Sequence, residues 1–128
     1  MNIDKRSRTS FRERIGYSRR EFNSIFQIYS TYVYKGLFKD FSFAEINGRY
    51  YISFKQDASH TPLITIEKRK MSAERVLFVA TAPDYQGGLK EIARSEKIDS
   101  FIRQLGNQVQ TIFTAYTEKG GNVRALYR

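Results

Sequence analysis

The sequence predicts a two-layer α+β domain: an N-terminal helix, a four- or five-stranded antiparallel meander sheet and a long C-terminal helix. Three observations carry this. A capped apolar stripe at helical spacing begins at Ser18, period-two alternation flanks Asn47-Gly48, and a second helical stripe runs from Ile98 to Tyr116. Two amphipathic helices and a sheet with one apolar face bury each other as two layers.

The first element opens with Ser18-Arg19-Arg20-Glu21. Ser18 can accept from the Glu21 N–H while the Glu21 carboxylate reaches back to the Ser18 N–H, the reciprocal capping box, and Tyr17 and Phe22 hold the two positions of a hydrophobic staple. Phe22, Ile25, Phe26, Tyr29, Tyr32 and Val33 follow on one face, and Gly36 suits the left-handed residue that closes a helix. The reading is a helix over 19–35.

From Leu37 the period becomes two. Asn47-Gly48 is the dipeptide best suited to a type I′ hairpin turn. That turn pairs Ile46 with Arg49, Glu45 with Tyr50, Phe43 with Ile52 and Phe41 with Phe54. It gathers Phe41, Phe43, Tyr50, Ile52 and Phe54 on one face, with Glu45 the exception near its edge. A third strand is expected over 63–69, with Ile64 and Ile66 inward, and a fourth over 75–81, with Val76, Phe78 and Ala80 inward. Short connections favour an antiparallel meander. The stretch 83–94 fits a strand, the start of a helix or a loop. Ser95 is the better cap for a final helix over 96–117, interrupted by Gly106 at a cost of about 1 kcal/mol relative to Ala.

Composition bounds the function. The 128 residues are 41% hydrophobic and 27% charged, with ten Phe and nine Tyr, so collagen-like and fully disordered classes fall away. There is no Cys and a single His, which removes disulfides, thiolate chemistry and multi-histidine metal sites. No apolar run approaches the ~20 residues that span a bilayer, and the N-terminus lacks a secretory core, so a cytoplasmic protein is expected. The net charge is +9. Lys5, Arg6, Arg8, Arg12, Arg14, Arg19 and Arg20 against Asp4 and Glu13 place more than half of it in the first twenty residues. Hence 1–16 reads as a basic flexible arm, 17–118 as one domain and 119–128 as a short basic tail.

Catalysis finds little support, and the reading is not an enzyme. His60 has Asp57 and Ser59 nearby, but neighbours in sequence do not make a triad. Gly87-Gly88-Leu89-Lys90 lacks the spacing and the Ser/Thr of a P-loop. Asp84, Glu91, Glu96 and Asp99 are close in sequence without a metal-binding pattern. No cofactor is implied. Glu67-Lys68-Arg69-Lys70 could clamp a phosphate, though a charged strand end is usually only solvated.

Alternation also gives the polar face of the sheet: Arg49, Tyr51, Ser53, Lys55, Thr65, Glu67, Arg69, Arg75 and Thr81. A basic face with an exposed ring can attract phosphates and stack an unpaired base. Single-stranded DNA or RNA is therefore the first expected partner. Arg49, Tyr51, Lys55, Arg69 and Arg75 form the platform, and Arg6, Arg8, Arg12 and Arg14 supply sequence-independent phosphate contacts that any polyanion could use. The alternative is a protein-interaction or homo-oligomeric module, because Leu63, Leu77 and Val79 also fall on this outer side and would suit a homodimer interface.

The run Arg19-Arg20-Glu21-Phe22-Asn23, then Gly36, Lys39-Asp40-Phe41, and then Pro62-Leu63 with Ile66-Glu67-Lys68 resembles an uncharacterised family of short alphaproteobacterial proteins, a domain of unknown function with R-R-E-x-N and P-L-x-x-I-E-K motifs. The resemblance spans Tyr17 to Lys70. Phe38 stands where the family pattern has Trp, and the family's basic segment after Lys70 is kept only in Leu89-Lys90. The resemblance implies a bacterial cytoplasmic protein and brings no activity or site residue. The order of four antiparallel strands followed by a long helix is also similar to the Pur-alpha-like single-stranded nucleic-acid-binding folds, a likeness of fold alone.

Overall fold

The computed structural model describes residues 16–56, 61–84, 86–118 and 120. The bases Arg6, Arg8, Arg12 and Arg14 of the arm, His60, and the tail beyond Gly120 lie outside the described residues.

Helix α1 spans Arg19–Tyr34, and both halves of its capping box are present: Glu21 N–H donates to Ser18 Oγ at 3.1 Å and Ser18 N–H to Glu21 Oε1 at 2.8 Å. It ends as Gly36 takes φ 91° and Leu37 N–H donates back to Tyr32 O at 2.8 Å. Five strands follow, β1 Asp40–Ile46, β2 Arg49–Lys55, β3 Ile64–Lys70, β4 Val76–Pro83 and β5 Leu89–Ser95, hydrogen-bonded in chain order and all antiparallel. Helix α2 spans Ile98–Glu118. The architecture is the α+β meander that the patterning implies, with the fifth strand present.

The hairpin register is the one the turn dictates. Asn47 and Gly48 both have positive φ, 53° and 79°, as type I′ demands, and Ile46, Glu45, Phe43 and Phe41 face Arg49, Tyr50, Ile52 and Phe54. Cross-strand register then places Ile52 beside Ile66, Phe54 beside Ile64, and Ile66 beside Ala80, so the centre of one face of the sheet is apolar and fully buried. Both helices pack on that face. Tyr29 of α1 lies 5.2 Å from Phe54 and Phe101 of α2 lies 5.6 Å from Phe78, ring centre to ring centre. The helices run side by side in the same direction. Arg20 grips the Asp99 carboxylate with two 2.9 Å contacts at their starts, and further along the Tyr32 hydroxyl donates to Gln110 Oε1 at 2.6 Å.

Three expectations change. Leu63 precedes β3, with its N–H donating to Phe54 O and its side chain in the core, because the chain entering β3 is already bonded to the end of β2. Asp84 and residues 86–88 belong to a turn, not a helix start: the Asp84 carboxylate accepts from the N–H groups of Gln86 and Gly88, and Gly87 takes φ 90°. The strand among the readings of 83–94 is the one that follows the turn, and an irregularity in register between Ala80 and Thr81 breaks period-two alternation along it. Ser95 is the last residue of β5, its Oγ accepts from Lys97 N–H, and the helix starts at Ile98.

Tyr17 is the pin between the layers. Its ring is fully buried 6.5 Å from Phe78, its hydroxyl donates to Tyr50 O at 2.9 Å, and Ile66 O lies 3.4 Å away. Just before it Gly16 has φ 76°, and a Cβ there would overlap the Tyr50 ring, so only glycine fits.

Candidate functional site

The face of the sheet turned away from the helices is where the predicted site residues can be placed. Register sets two rows across it: Ser42, Ser53, Thr65, Thr81 and Glu91, and next to that Ala44, Tyr51, Glu67, Val79 and Arg94. Successive rows are two residues, or roughly 7 Å, apart along the strands.

Glu67 is the centre of the arrangement. Arg69 holds its carboxylate in a fork, Nε to Oε2 at 2.9 Å and Nη2 to Oε1 at 3.2 Å, while Arg49 Nε stands 3.6 Å from Oε2. Tyr51 is its cross-strand neighbour and is half-buried. One strand over, Arg94 forks onto Glu91 at distances of 2.9–3.1 Å. The hydrogen bond from Arg94 lowers the Glu91 carboxyl below its ordinary range, and the hydrogen bonds and charge of Glu67 raise the Arg69 guanidinium. Four bases, Arg49, Lys55, Arg69 and Arg94, thus share the face with three carboxylates, Asp40, Glu67 and Glu91, and the face stays net positive.

Not every predicted platform residue joins this cluster. Arg49, Tyr51 and Arg69 come together. Lys55 sits opposite Asp40 at the far end of β2, six residues or roughly 20 Å from Arg49. Arg75 precedes β4 and forks onto Glu96 at 2.9 and 2.6 Å, which ties the β3–β4 turn to the loop before α2. Lys68 of the suggested phosphate clamp is on the helix side, its Nζ donating to Glu21 Oε1 at 2.7 Å and to Gly16 O at 3.0 Å. The run Glu67 to Lys70 is therefore split between two faces.

Leu77 and Val79 do lie on the outer side but are only 7% and 5% exposed in the single chain, and Leu63 belongs to the core. They have little surface left to give a second copy. The four acids of 84–99 are each occupied elsewhere: Asp84 in its turn, Glu91 with Arg94, Glu96 with Arg75 and Asp99 with Arg20.

Arg94 is the residue that sequence reasoning missed, because the register irregularity scrambles the alternation that would have assigned it to this face. Gln104, which reads as a plain solvent position, bonds both peptide groups of Arg94. Between the helices lies a groove of about 460 Å³ lined by Ser24, Gln27, Thr31, Tyr32, Arg103 and Gly106, among others. Among the described residues no three His, Asp or Glu side chains cluster closely enough to hold a metal ion, and no helix is long and apolar enough to cross a membrane.

Residues 15–89 match the model of a family described as a protein of unknown function, DUF2794. The chain belongs to this family. The match runs from the entry to α1 through β1–β4 to Leu89, past Lys70 where the sequence resemblance stops. It therefore includes Arg49, Tyr51, Glu67 and Arg69 but not Arg94. Neither the curated proteins nor the solved structures contain a match to the chain.

Proposed function

We propose that this protein binds single-stranded DNA or RNA on the helix-free face of its sheet. The observation that carries the reading is the cluster in which Tyr51 sits beside Glu67, with Arg69 and Arg49 both drawn to that carboxylate. An arginine has five N–H donors, and one fork to a carboxylate uses only part of them. Glu67 thus holds two guanidiniums in place while leaving donors for phosphate oxygens, and Tyr51 supplies a ring in the adjoining row for an unpaired base. Arg94 extends the basic row across β5. Arg6, Arg8, Arg12 and Arg14 add sequence-independent attraction to any polyanion.

The cytoplasm, where nucleic acid is met, is the compartment this reading implies. The alternative of homodimerisation through Leu63, Leu77 and Val79 gains nothing from their burial. The similarity in element order to Pur-alpha-like folds is compatible with the proposal and is not its basis.

The test is titration of labelled single strands with the full chain and with Tyr51→Ala. Loss of a stacked base contact is worth ~1–3 kcal/mol, so affinity should fall about 5- to 150-fold, with circular dichroism and melting temperature unchanged. Equal affinity of the two proteins would remove Tyr51 from the site.

A further inference from the structure

We propose that the free edge of β1 is a pairing site for a second copy of this chain, joining two five-stranded sheets across a two-fold axis. The surface is separate from the nucleic-acid face proposed above, and neither reading depends on the other.

An edge strand presents unpaired peptide groups, and proteins ordinarily blunt such edges with charge, irregular register or a covering group. The β5 edge has all three. Its register with β4 is irregular at Ala80/Thr81, it carries Lys90, Glu91 and Arg94, and the Gln104 amide covers it: Arg94 N–H donates to Gln104 Oε1 at 2.9 Å and Gln104 Nε2 to Arg94 O at 3.0 Å. From Phe41 to Glu45 the β1 edge has neither irregular register nor, among the described residues, a covering group, and Glu45 is its one charge. No Lys, Arg or Pro occurs there, the register with β2 is unbroken, and among the described residues no strand pairs with its other side.

The direction of the free groups follows from the turn. A two-residue hairpin closes on a hydrogen-bonded pair, here Ile46 with Arg49, and every second pair after it is bonded too. Ala44 and Ser42 therefore bond to β2, and Phe41, Phe43 and Glu45 turn their N–H and C=O groups outward. The same alternation carried across the sheet turns the peptide groups of Arg94 outward, where Gln104 meets them.

The edge fits itself. Antiparallel pairing centred on Phe43 sets Phe43 against Phe43 of the second copy, Phe41 against Glu45, and Ser42 against Ala44, so outward groups meet outward groups without a gap. On the helix side the two Phe43 rings would extend an aromatic run already in place. Phe41 and Phe43 are 4.9 Å apart and Phe26 and Phe41 5.6 Å, with Phe43 41% and Phe26 39% exposed. On the other side Ser42 faces Ala44 and, at the two ends, Asp40 faces Ile46. The Glu45 carboxylate is turned toward the hairpin, where it accepts from Gly48 N–H at 2.7 Å.

The chain has no cysteine, which makes the register directly testable. Residues 42 and 44 would form a non-bonded pair with Cα atoms about 4.5 Å apart, within disulfide range. Sedimentation of the full chain should show a dimer, and Phe43→Lys, which sets two ammonium groups side by side, should weaken it about ten-fold or more. Mild oxidation should cross-link the double variant Ser42→Cys/Ala44→Cys into dimers, and Ser42→Cys alone should not cross-link. A chain that stays monomeric to a few hundred micromolar overturns the proposal. So does a dimer indifferent to Phe43→Lys, or one in which the double and single cysteine variants behave alike. If Phe43→Lys does not fold, the cysteine comparison decides alone.

Discussion

Glu67 holds two arginines with one carboxylate, and its removal tests which charges meet a ligand. Glu67→Gln keeps the shape and frees Arg49 and Arg69 from their shared partner. If these guanidiniums face phosphates, affinity for single strands should rise, and the slope of log K against log salt should steepen by about 0.7 for each further phosphate neutralised. An unchanged slope places both arginines outside the interface. Tyr17 offers a test of stability. Burial, then the charge of Glu21, pushes its phenol well above the ordinary value, so the folded chain keeps a proton that the unfolded chain releases near pH ~10. That stabilisation is complete below the unfolded value and is lost as pH rises past it. Urea midpoints should therefore fall above pH ~10, and Tyr17→Phe should flatten the fall while costing about 1 kcal/mol at neutral pH for the lost bond to Tyr50 O. An identical alkaline slope in the variant would contradict this.

At the scale of elements, legibility depended on local chemistry. The capping box at Ser18, the Asn47-Gly48 turn and its entire register could be read because each is set by residues within a few positions of one another. Which residues of β5 turn outward could not, since the register shift at Ala80/Thr81 is imposed by pairing with another strand and destroys the alternation on which the reading rests. The candidate site divides the same way. Arg49, Tyr51 and Arg69 were placed by alternation, whereas Arg94 and the edge-covering role of Gln104 depend on strand and helix packing. Gly106 is a case where sequence raised a question that packing answers. A Cβ there would meet nothing within 4 Å, so close approach does not require the glycine. Gly106→Ala should stabilise the protein by about 1 kcal/mol in urea or thermal unfolding, from helix propensity alone. A destabilised variant would mean that the groove between α1 and α2 must stay open for the fold.

For the whole molecule, the net charge of +9 ensures that some polyanion binding will be seen whatever the sheet does. Affinity alone therefore cannot establish a sheet-face site; preference can. Arginines in the arm would treat duplex and single strand alike, but a ring beside two guanidiniums on a sheet can stack only a base that is out of its helix. The most direct measurement is a fluorescence-anisotropy titration of the full chain against single-stranded DNA, single-stranded RNA and duplex DNA of equal length, each over a salt series. Tighter binding to the single strands is expected, with a preference that survives at high salt where phosphate contacts have weakened and that disappears in Tyr51→Ala. Equal binding to duplex and single strands at every salt concentration would contradict a stacking site on the sheet.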